Sequence, residues 1–97
     1  MRLSFHPEAE DEFFRAVEYY EACEPGLGQA FSAEVTSGIL RIHDYPSAWP
    51  LVDDEVRRCL VHRFPFAILY IVERDNIFIL AVMHVRREPG YWKSRRP

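Results

Sequence analysis

The stretch FAILYIVERDNIFILAVMHV, residues 66–85 of the 97-residue chain, decides the fold. Its two apolar runs, residues 66–72 and 77–85, are rich in the β-branched and aromatic residues that favour strands. The polar residues 73–76 between them indicate a tight turn. The stretch therefore predicts a β-hairpin. Its strands are apolar on both faces, because alternate side chains of a strand point to opposite sides.

Two helices are predicted ahead of this hairpin, from apolar residues that recur every three or four positions. The first begins at Pro7, after a short strand at residues 2–5, and ends before Pro25. The second follows directly and ends at residues 44–46. Gly38 on its apolar face indicates a close contact between the helices, which we expect to form an antiparallel hairpin.

Two further strands are predicted between the helices and the β-hairpin. Residues 49–52 are a short edge candidate, and residues 56–64 can run as a strand until Pro65 bends or ends it. The resulting order, β-α-α-β-β-β-β, predicts an α+β fold with a helical hairpin packed on a small, mostly antiparallel sheet. The helices cover only one apolar face, so the tail (residues 86–97) or a partner has to cover the other.

Length and composition exclude several classes of protein. The chain suffices for a single domain over residues 1–97, and 48% hydrophobic residues exclude disorder. Two cysteines, Cys23 and Cys59, exclude a disulfide scaffold and indicate a reducing compartment. We find no signal peptide and no apolar run of membrane-spanning length, and so expect a cytoplasmic protein without a membrane partner.

The net charge of −3 hides a split between the two halves of the chain. Residues 1–55 carry three Arg against twelve Asp or Glu, which gives −9, and residues 56–97 carry nine Lys or Arg against three, which gives +6. Such asymmetry is typical of a protein with an anionic partner. Mutual neutralisation of the two halves across the fold is an equally good interpretation.

The sequence lacks the signatures of common cofactor sites. No Gly-rich phosphate loop is present, and the four histidines have no ligand spacing, so we expect neither a metal nor a cofactor. A candidate binding surface instead combines basic side chains with an aromatic ring. Such a surface suits single-stranded nucleic acid, whereas an acidic protein partner, or a solvated basic face paired with the acidic helices, is the alternative. Its members are Arg57, Arg58, Arg63, Arg86, Arg87 and Trp92.

The residue best suited to acid–base chemistry is His84, near the end of the last strand. RNA cleavage by the neighbouring 2′-OH needs a base, an acid and cations at the phosphate. A histidine side chain can titrate near neutral pH, and Arg87 and Tyr91 are candidates to complete a catalytic set with His84. The alternative is a histidine satisfied at the edge of the core.

Several short motifs, taken in order, resemble the RelE/ParE superfamily of toxins from bacterial type II toxin–antitoxin systems. The resemblance covers nearly the whole chain and implies the same α+β fold and a cognate antitoxin as partner. Its strongest motifs are HPEA at residues 6–9, RFPFAILY at 63–70 and AVMHVRREPGYW at 81–92.

Known members of this superfamily act in two ways: RelE-like toxins cut mRNA in the ribosomal A site, and ParE-like toxins bind DNA gyrase. An arginine important for cleavage in the RelE branch is replaced here by Ala67. The paired lysines of that branch are represented only by Arg58, with Leu60 at the second place. Arg87 and Tyr91 match a family arginine and tyrosine.

The incomplete cleavage set favours a non-enzymatic, ParE-like toxin that binds gyrase. Two alternatives stay open: a ribosome-dependent mRNA endonuclease in which His84 substitutes for missing groups, and a toxin-fold protein that only binds its antitoxin. A homodimer and a toxin–antitoxin hetero-oligomer are both compatible with the sequence.

Overall fold

The computed structural model describes residues 1–97 and confirms the predicted α+β fold and element order. A 3₁₀ turn, Lys93–Arg95, is the one regular element of the tail. The other elements are β1 (Arg2–Phe5), α1 (Pro7–Cys23), α2 (Leu27–Asp44), β2 (Leu51–Asp53), β3 (Val56–Leu60), β4 (Phe66–Glu73) and β5 (Asn76–His84).

The first helix begins where the sequence predicts. Pro7 needs no partner for a backbone N–H at the first helical position, and His6 caps the helix by accepting a hydrogen bond from the backbone N of Glu8 at 3.0 Å. Gly26, at φ 90°, turns the chain into α2 in a backbone conformation that favours glycine. Neither helix combines the length and apolar content that crossing a membrane requires.

The close contact between the two helices occurs at Gly28. A Cβ atom there would lie 2.5 Å from the carbonyl oxygen of Val17, so only glycine fits. Gly38, which the sequence placed at this contact, faces the sheet instead. A Cβ atom added to Gly38 would lie 3.0 Å from Cδ1 of Ile68 on β4.

The five strands form one mixed sheet in the order β1-β5-β4-β3-β2. β1 runs parallel to β5, and every other pair is antiparallel. β3 ends at Leu60, four residues earlier than the sequence allowed. The chain turns at Arg63, whose φ of 72° is incompatible with a strand, and Val61 N donates to the carbonyl of Phe66.

A β-bulge at Leu80 changes which side chains of β5 face the helices. Leu69 lies opposite Ala81, and Tyr70 lies opposite Ile79, so Leu80 is the extra residue. Leu80 and Ala81 therefore both face away from the helices, whereas Ile79 faces them.

Each face of the sheet has its own apolar core. The helix-side core, which includes Phe31, Ile68 and Tyr70, lies between the helices and the sheet. The tail-side core, which includes Leu69 and Leu80, is closed by Trp92, whose exposed fraction is 5%. The second apolar face is thus covered by the chain's own tail, one of the two coverings that the sequence allowed.

Candidate functional site

The tail is fixed to the first helix and to β5 through the carboxylate of Glu12. Arg95 donates Nη1 to Oε1 and Nη2 to Oε2 of Glu12, both at 2.9 Å. The Tyr91 hydroxyl donates to Oε2 at 2.7 Å, and the backbone N of Val82 donates to Oε1 at 3.0 Å. We call Glu12, Tyr91 and Arg95 the Glu12 cluster. A bidentate guanidinium–carboxylate pair is among the stronger hydrogen-bonded arrangements in proteins.

Burial shapes the electrostatics of the Glu12 cluster. Burial and the hydrogen bond to Glu12 raise the pKa of Tyr91 well above its ordinary value, so the phenol stays protonated. Burial alone lowers the pKa of Arg95, but its hydrogen bonds and ion pair with Glu12 raise that pKa overall. Arg87 lies over the Tyr91 ring, with its guanidinium carbon 3.8 Å from the ring centroid. Tyr91 is therefore held at its hydroxyl by Glu12 and over its ring face by Arg87.

A helix-side groove of about 460 Å³ lies between α1 and the end of β5. β1 ends at Phe5, opposite Ile79, so the last residues of β5 have no neighbouring strand along this groove. The groove has an apolar floor with two carboxylates and two guanidinium groups. Its lining residues are Asp11, Glu12, Arg15, Ala16, Tyr19, Tyr20, Phe66, Val82, Met83, His84 and Arg87.

Two grooves of different character lie around β3. The tail-side groove, of about 360 Å³, is lined by Val52, Asp53, Arg58, Leu69, Met83, Val85, Arg87, Pro89, Gly90, Trp92 and Lys93. The β3-edge groove, of about 480 Å³, is lined by Arg41, Trp49, Pro50, Arg58, Leu60 and His62. Arg58 lines both grooves, and Asp53 is the one carboxylate among their lining residues.

The three residues proposed for RNA cleavage lie around the helix-side groove. His84 and Arg87 line it, and Tyr91 reaches it through Glu12. His84 Nδ1 accepts a hydrogen bond from the backbone N of Arg86 at 3.1 Å, and its ring meets Phe66 edge-on at 5.5 Å between centroids. The Tyr91 proton is already donated to Glu12, so this hydroxyl is not free to donate to a substrate.

The residues proposed for binding do not form one surface. Arg57 faces the helix side and donates Nη1 to the carbonyl oxygens of Ser47 and Trp49 at 3.2 and 2.6 Å, so it fixes a loop. Trp92 is buried in the tail-side core. The four remaining members, all exposed, are Arg58, Arg63, Arg86 and Arg87.

The sequence reasoning missed the importance of Glu12 and Arg41. Glu12 lies three residues after Ala9 and four before Ala16, which are both buried on α1, and an acidic residue on an apolar face is a signal that a partner is needed. Arg41 gave no such signal, because it lies beside the apolar face of α2, where a charged residue is common and needs no partner. No group of three or more His, Cys, Asp or Glu side chains is arranged to hold a metal ion.

Comparison with known proteins identifies the family. The family model for the ParE toxin of the type II toxin–antitoxin system parDE matches residues 3–89. A solved chain from the chromosomal ParDE toxin–antitoxin system of P. aeruginosa has the same fold, with a TM-score of 0.70 and 19% sequence identity over 87% of this chain and 95% of that chain. No curated protein sequence matches. Since the family model spans nearly the whole chain, the protein belongs to the ParE toxin family of type II toxin–antitoxin systems.

Proposed function

We propose that this toxin arrests growth by binding DNA gyrase in the cytoplasm, without cleaving RNA, and that a cognate antitoxin neutralises it. Membership of the ParE family supports the choice of target. The observation that carries the non-enzymatic part is the state of Tyr91. Its hydroxyl donates to Glu12 at 2.7 Å, and its raised pKa keeps it protonated, so it serves neither as a base nor as a free acid.

The surroundings of His84 also favour binding over RNA cleavage. His84 shares the helix-side groove with Asp11 and Glu12, which are paired with Arg15 and Arg95 at 2.9 Å. These pairs leave Arg87 as the one further cation in the groove lining that could hold a phosphodiester. With Tyr91 engaged, His84 is the one group left in this set as a candidate for proton transfer. Cleavage by the neighbouring 2′-OH requires two such transfers.

The helix-side groove is the site that suits the antitoxin. Its apolar floor, formed by residues such as Tyr20, Phe66 and Val82, can bury side chains of a protein partner. Val82 N is already satisfied by Glu12, so the edge of β5 is partly protected from non-specific strand pairing. Guanidinium and carboxylate groups on the rim offer ionic contacts of both signs, which favour specificity.

The gyrase target is tested with the purified toxin in a DNA supercoiling assay. We expect loss of supercoiling or accumulation of cleaved DNA at micromolar toxin, and the same effect with His84→Ala. No effect on gyrase, together with cleavage of mRNA in a translating extract, would establish the endonuclease alternative. The sharing of one groove by His84 and Arg87 is the feature that favours that alternative.

The antitoxin site is tested by co-expression with the product of an adjoining open reading frame. Tyr19 lines the helix-side groove and is 65% exposed, so Tyr19→Glu should block neutralisation and leave toxicity intact. Tyr45, which is 69% exposed and lies outside the groove, supplies the matched control Tyr45→Glu. Equal neutralisation of both variants argues against this groove. Expression of the toxin alone without growth arrest would support a protein that only binds its antitoxin.

A further inference from the structure

Two arginines around β3, Arg41 and Arg58, differ from most basic residues of the tail in having no acidic partner. No carboxylate oxygen lies within 4.0 Å of either of them, whereas the partnered basic residues of the tail are Arg87, Lys93, Arg95 and Arg96. The cationic groups at the β3-edge groove are therefore not neutralised, in a chain whose net charge is negative.

Arg41 is held in position at this groove by neutral groups. Its guanidinium donates to the Leu60 carbonyl at 3.4 Å and to Ser37 Oγ at 3.4 Å, and it contacts Cys59 Sγ at 3.9 Å. These contacts fix the side chain but leave its charge uncompensated. A fixed guanidinium loses less conformational entropy when it binds an anion.

His62 adds a further polar side chain next to Arg41. Its Nδ1 lies 3.5 Å from Arg41 Nη1, and because a guanidinium only donates, Nδ1 is the acceptor. In the neutral ring the proton is then on Nε2, which is a further donor at the groove. Trp49 lines the groove beside these groups, and its position is fixed by the hydrogen bond from Arg57 to its carbonyl.

Arg58 connects the β3-edge groove with the tail-side groove, where Arg87 and Lys93 continue the row of cations. Arg87 is paired with the exposed carboxylate of Glu88 at 3.3 Å, so Arg41 and Arg58 are the members of the row without an acidic partner. The single carboxylate in the two linings, Asp53, lies 3.9 Å from both Lys93 and Arg96. The two grooves together therefore form a cationic track of Arg41, Arg58, Arg87 and Lys93, and His62 lies beside Arg41 as a further hydrogen-bond donor.

We propose that this cationic track binds the phosphodiester backbone of a single-stranded nucleic acid. Guanidinium groups bind phosphate oxygens bidentately, and a row of them beside an aromatic ring is typical of surfaces that bind single strands without sequence preference. An acidic peptide fits less well, because a peptide gains most of its affinity from apolar anchors. The β3-edge groove, which holds the unpaired Arg41 and Arg58, has Trp49 and Leu60 as its only large apolar side chains.

The test is fluorescence anisotropy of a labelled mixed-sequence oligonucleotide with the full-length toxin and no gyrase. Because gyrase is absent, the result is independent of the proposed target. For a single strand, the logarithm of the binding constant should fall with the logarithm of salt concentration by about 0.7 per phosphate contact. Four such contacts give a slope of about −3.

Arg58→Gln is the decisive variant, because Arg58 is exposed and makes no side-chain hydrogen bond or ion pair whose loss would disturb the fold. We expect it to weaken binding about five- to tenfold at low salt and to reduce the slope by about 0.7. Arg2→Gln is the matched control. Arg2 is also exposed and has no acidic partner, but lies on β1 at the opposite edge of the sheet.

Equal affinity of Arg58→Gln and the wild type would overturn the proposal, as would an equal loss in Arg2→Gln. Absence of binding at about 50 mM salt would also overturn it. Arg41→Gln, checked for folding by thermal melting, should weaken oligonucleotide binding more than Arg58→Gln does. Displacement of the oligonucleotide by poly-glutamate at matched charge concentration would assign the track to an acidic protein instead.

Discussion

The helix-side core contains thirteen buried residues from the two helices, the sheet and the loop after β3, whereas the tail-side core contains six, with Trp92 contributed by the tail. The helix-side core contains a cluster of aromatic rings, with Phe31 in contact with Tyr20, Phe64 and Phe66. The tail side compensates for its smaller core with the Glu12 cluster. The comparison indicates that apolar burial holds the helix layer, whereas the tail layer combines a smaller apolar core with one nearly buried ion pair.

The same comparison explains the charge split. Basic residues of the tail are bound to acidic residues of the first half: Arg95 to Glu8 and Glu12, and Arg96 to Asp53, Asp54 and Glu55. Neutralisation across the fold therefore accounts for the tail. It does not account for Arg41 and Arg58, the members of the cationic track that have no acidic partner.

The largest effect should come from Glu12→Ala. The substitution removes the bidentate partner of Arg95, which is 8% exposed and keeps only the Leu80 carbonyl and Glu8 as acceptors, and it leaves the N–H of Val82 without its acceptor. Removing one partner of a buried ion pair costs about 4 kcal/mol, so the free energy of unfolding should fall by that amount in urea. The control is Glu10→Ala, since Glu10 is exposed on α1, and it should change stability by less than about 0.5 kcal/mol. Equal losses in both variants would contradict the role of the Glu12 cluster.

The next largest effect should come from Trp92→Ala. The substitution removes the largest side chain that the tail contributes to the tail-side core, where Trp92 is 5% exposed. We expect a loss of about 3 kcal/mol, measured by thermal or chemical unfolding. Trp92→Phe, which retains a ring, should lose less than about 1.5 kcal/mol. A loss in Trp92→Ala no larger than in Trp92→Phe would show that the tail covers this face only loosely.

Raising the pH above 10 should lower the free energy of unfolding through one tyrosine on each side of the sheet. Burial raises the pKa of Tyr70 from 10.0 to about 12, and burial with the Glu12 hydrogen bond raises that of Tyr91. Above pH 10 the unfolded chain releases these protons and the native chain retains them, so stability falls as the pH rises. Each tyrosine contributes a fall of about 1.4 kcal/mol per pH unit.

Two variants separate these contributions. Tyr70→Phe removes the helix-side contribution, along with the hydrogen bond from the Tyr70 hydroxyl to the Pro46 carbonyl at 2.6 Å. Tyr91→Phe removes the tail-side contribution. Urea unfolding at several pH values above 10 should show a shallower fall in stability for each variant. A slope unchanged from the wild type in both would mean that other groups cause the alkaline loss.

Periodicity predicted the element types and order, because the two apolar strands and the two helical stripes are strong local signals. It failed where long-range packing or a special backbone conformation determines where an element ends or which element a residue contacts. β3 ends at Leu60 because Arg63 adopts a positive φ, which is rare outside glycine and gave no sequence signal. Gly38 contacts Ile68 of the sheet rather than the other helix. A small residue is needed wherever a helix closely approaches another helix or a sheet, so the glycine did not reveal which of the two it contacts.

The sites were harder to predict than the fold. By residue type, Trp92 and Arg57 suit a basic, aromatic surface. Trp92 instead closes the tail-side core, and Arg57 fixes the loop before β2. Both roles depend on how the tail and the loop before β2 return to the sheet, and neither segment has a regular period. The cationic track joins Arg41 of α2 to residues of β3 and the tail, a juxtaposition created only by the fold.

The smallest of these effects concerns the start of α1 on the helix side. His6 Nδ1 accepts the backbone N–H of Glu8 at 3.0 Å, where Ser, Thr, Asp or Asn is more usual. His6→Ala should lower the free energy of unfolding by about 1 kcal/mol, because one backbone donor loses its acceptor while the helix-side core stays intact. His6→Asn supplies an equivalent acceptor and should restore wild-type stability in the same urea titration. If His6→Asn is as unstable as His6→Ala, the imidazole contributes by its contact with Phe78, at 6.2 Å between ring centroids, rather than by capping. Since Phe78 packs against the tail-side core, the start of α1 would then depend on a contact with a residue of the opposite face of the sheet.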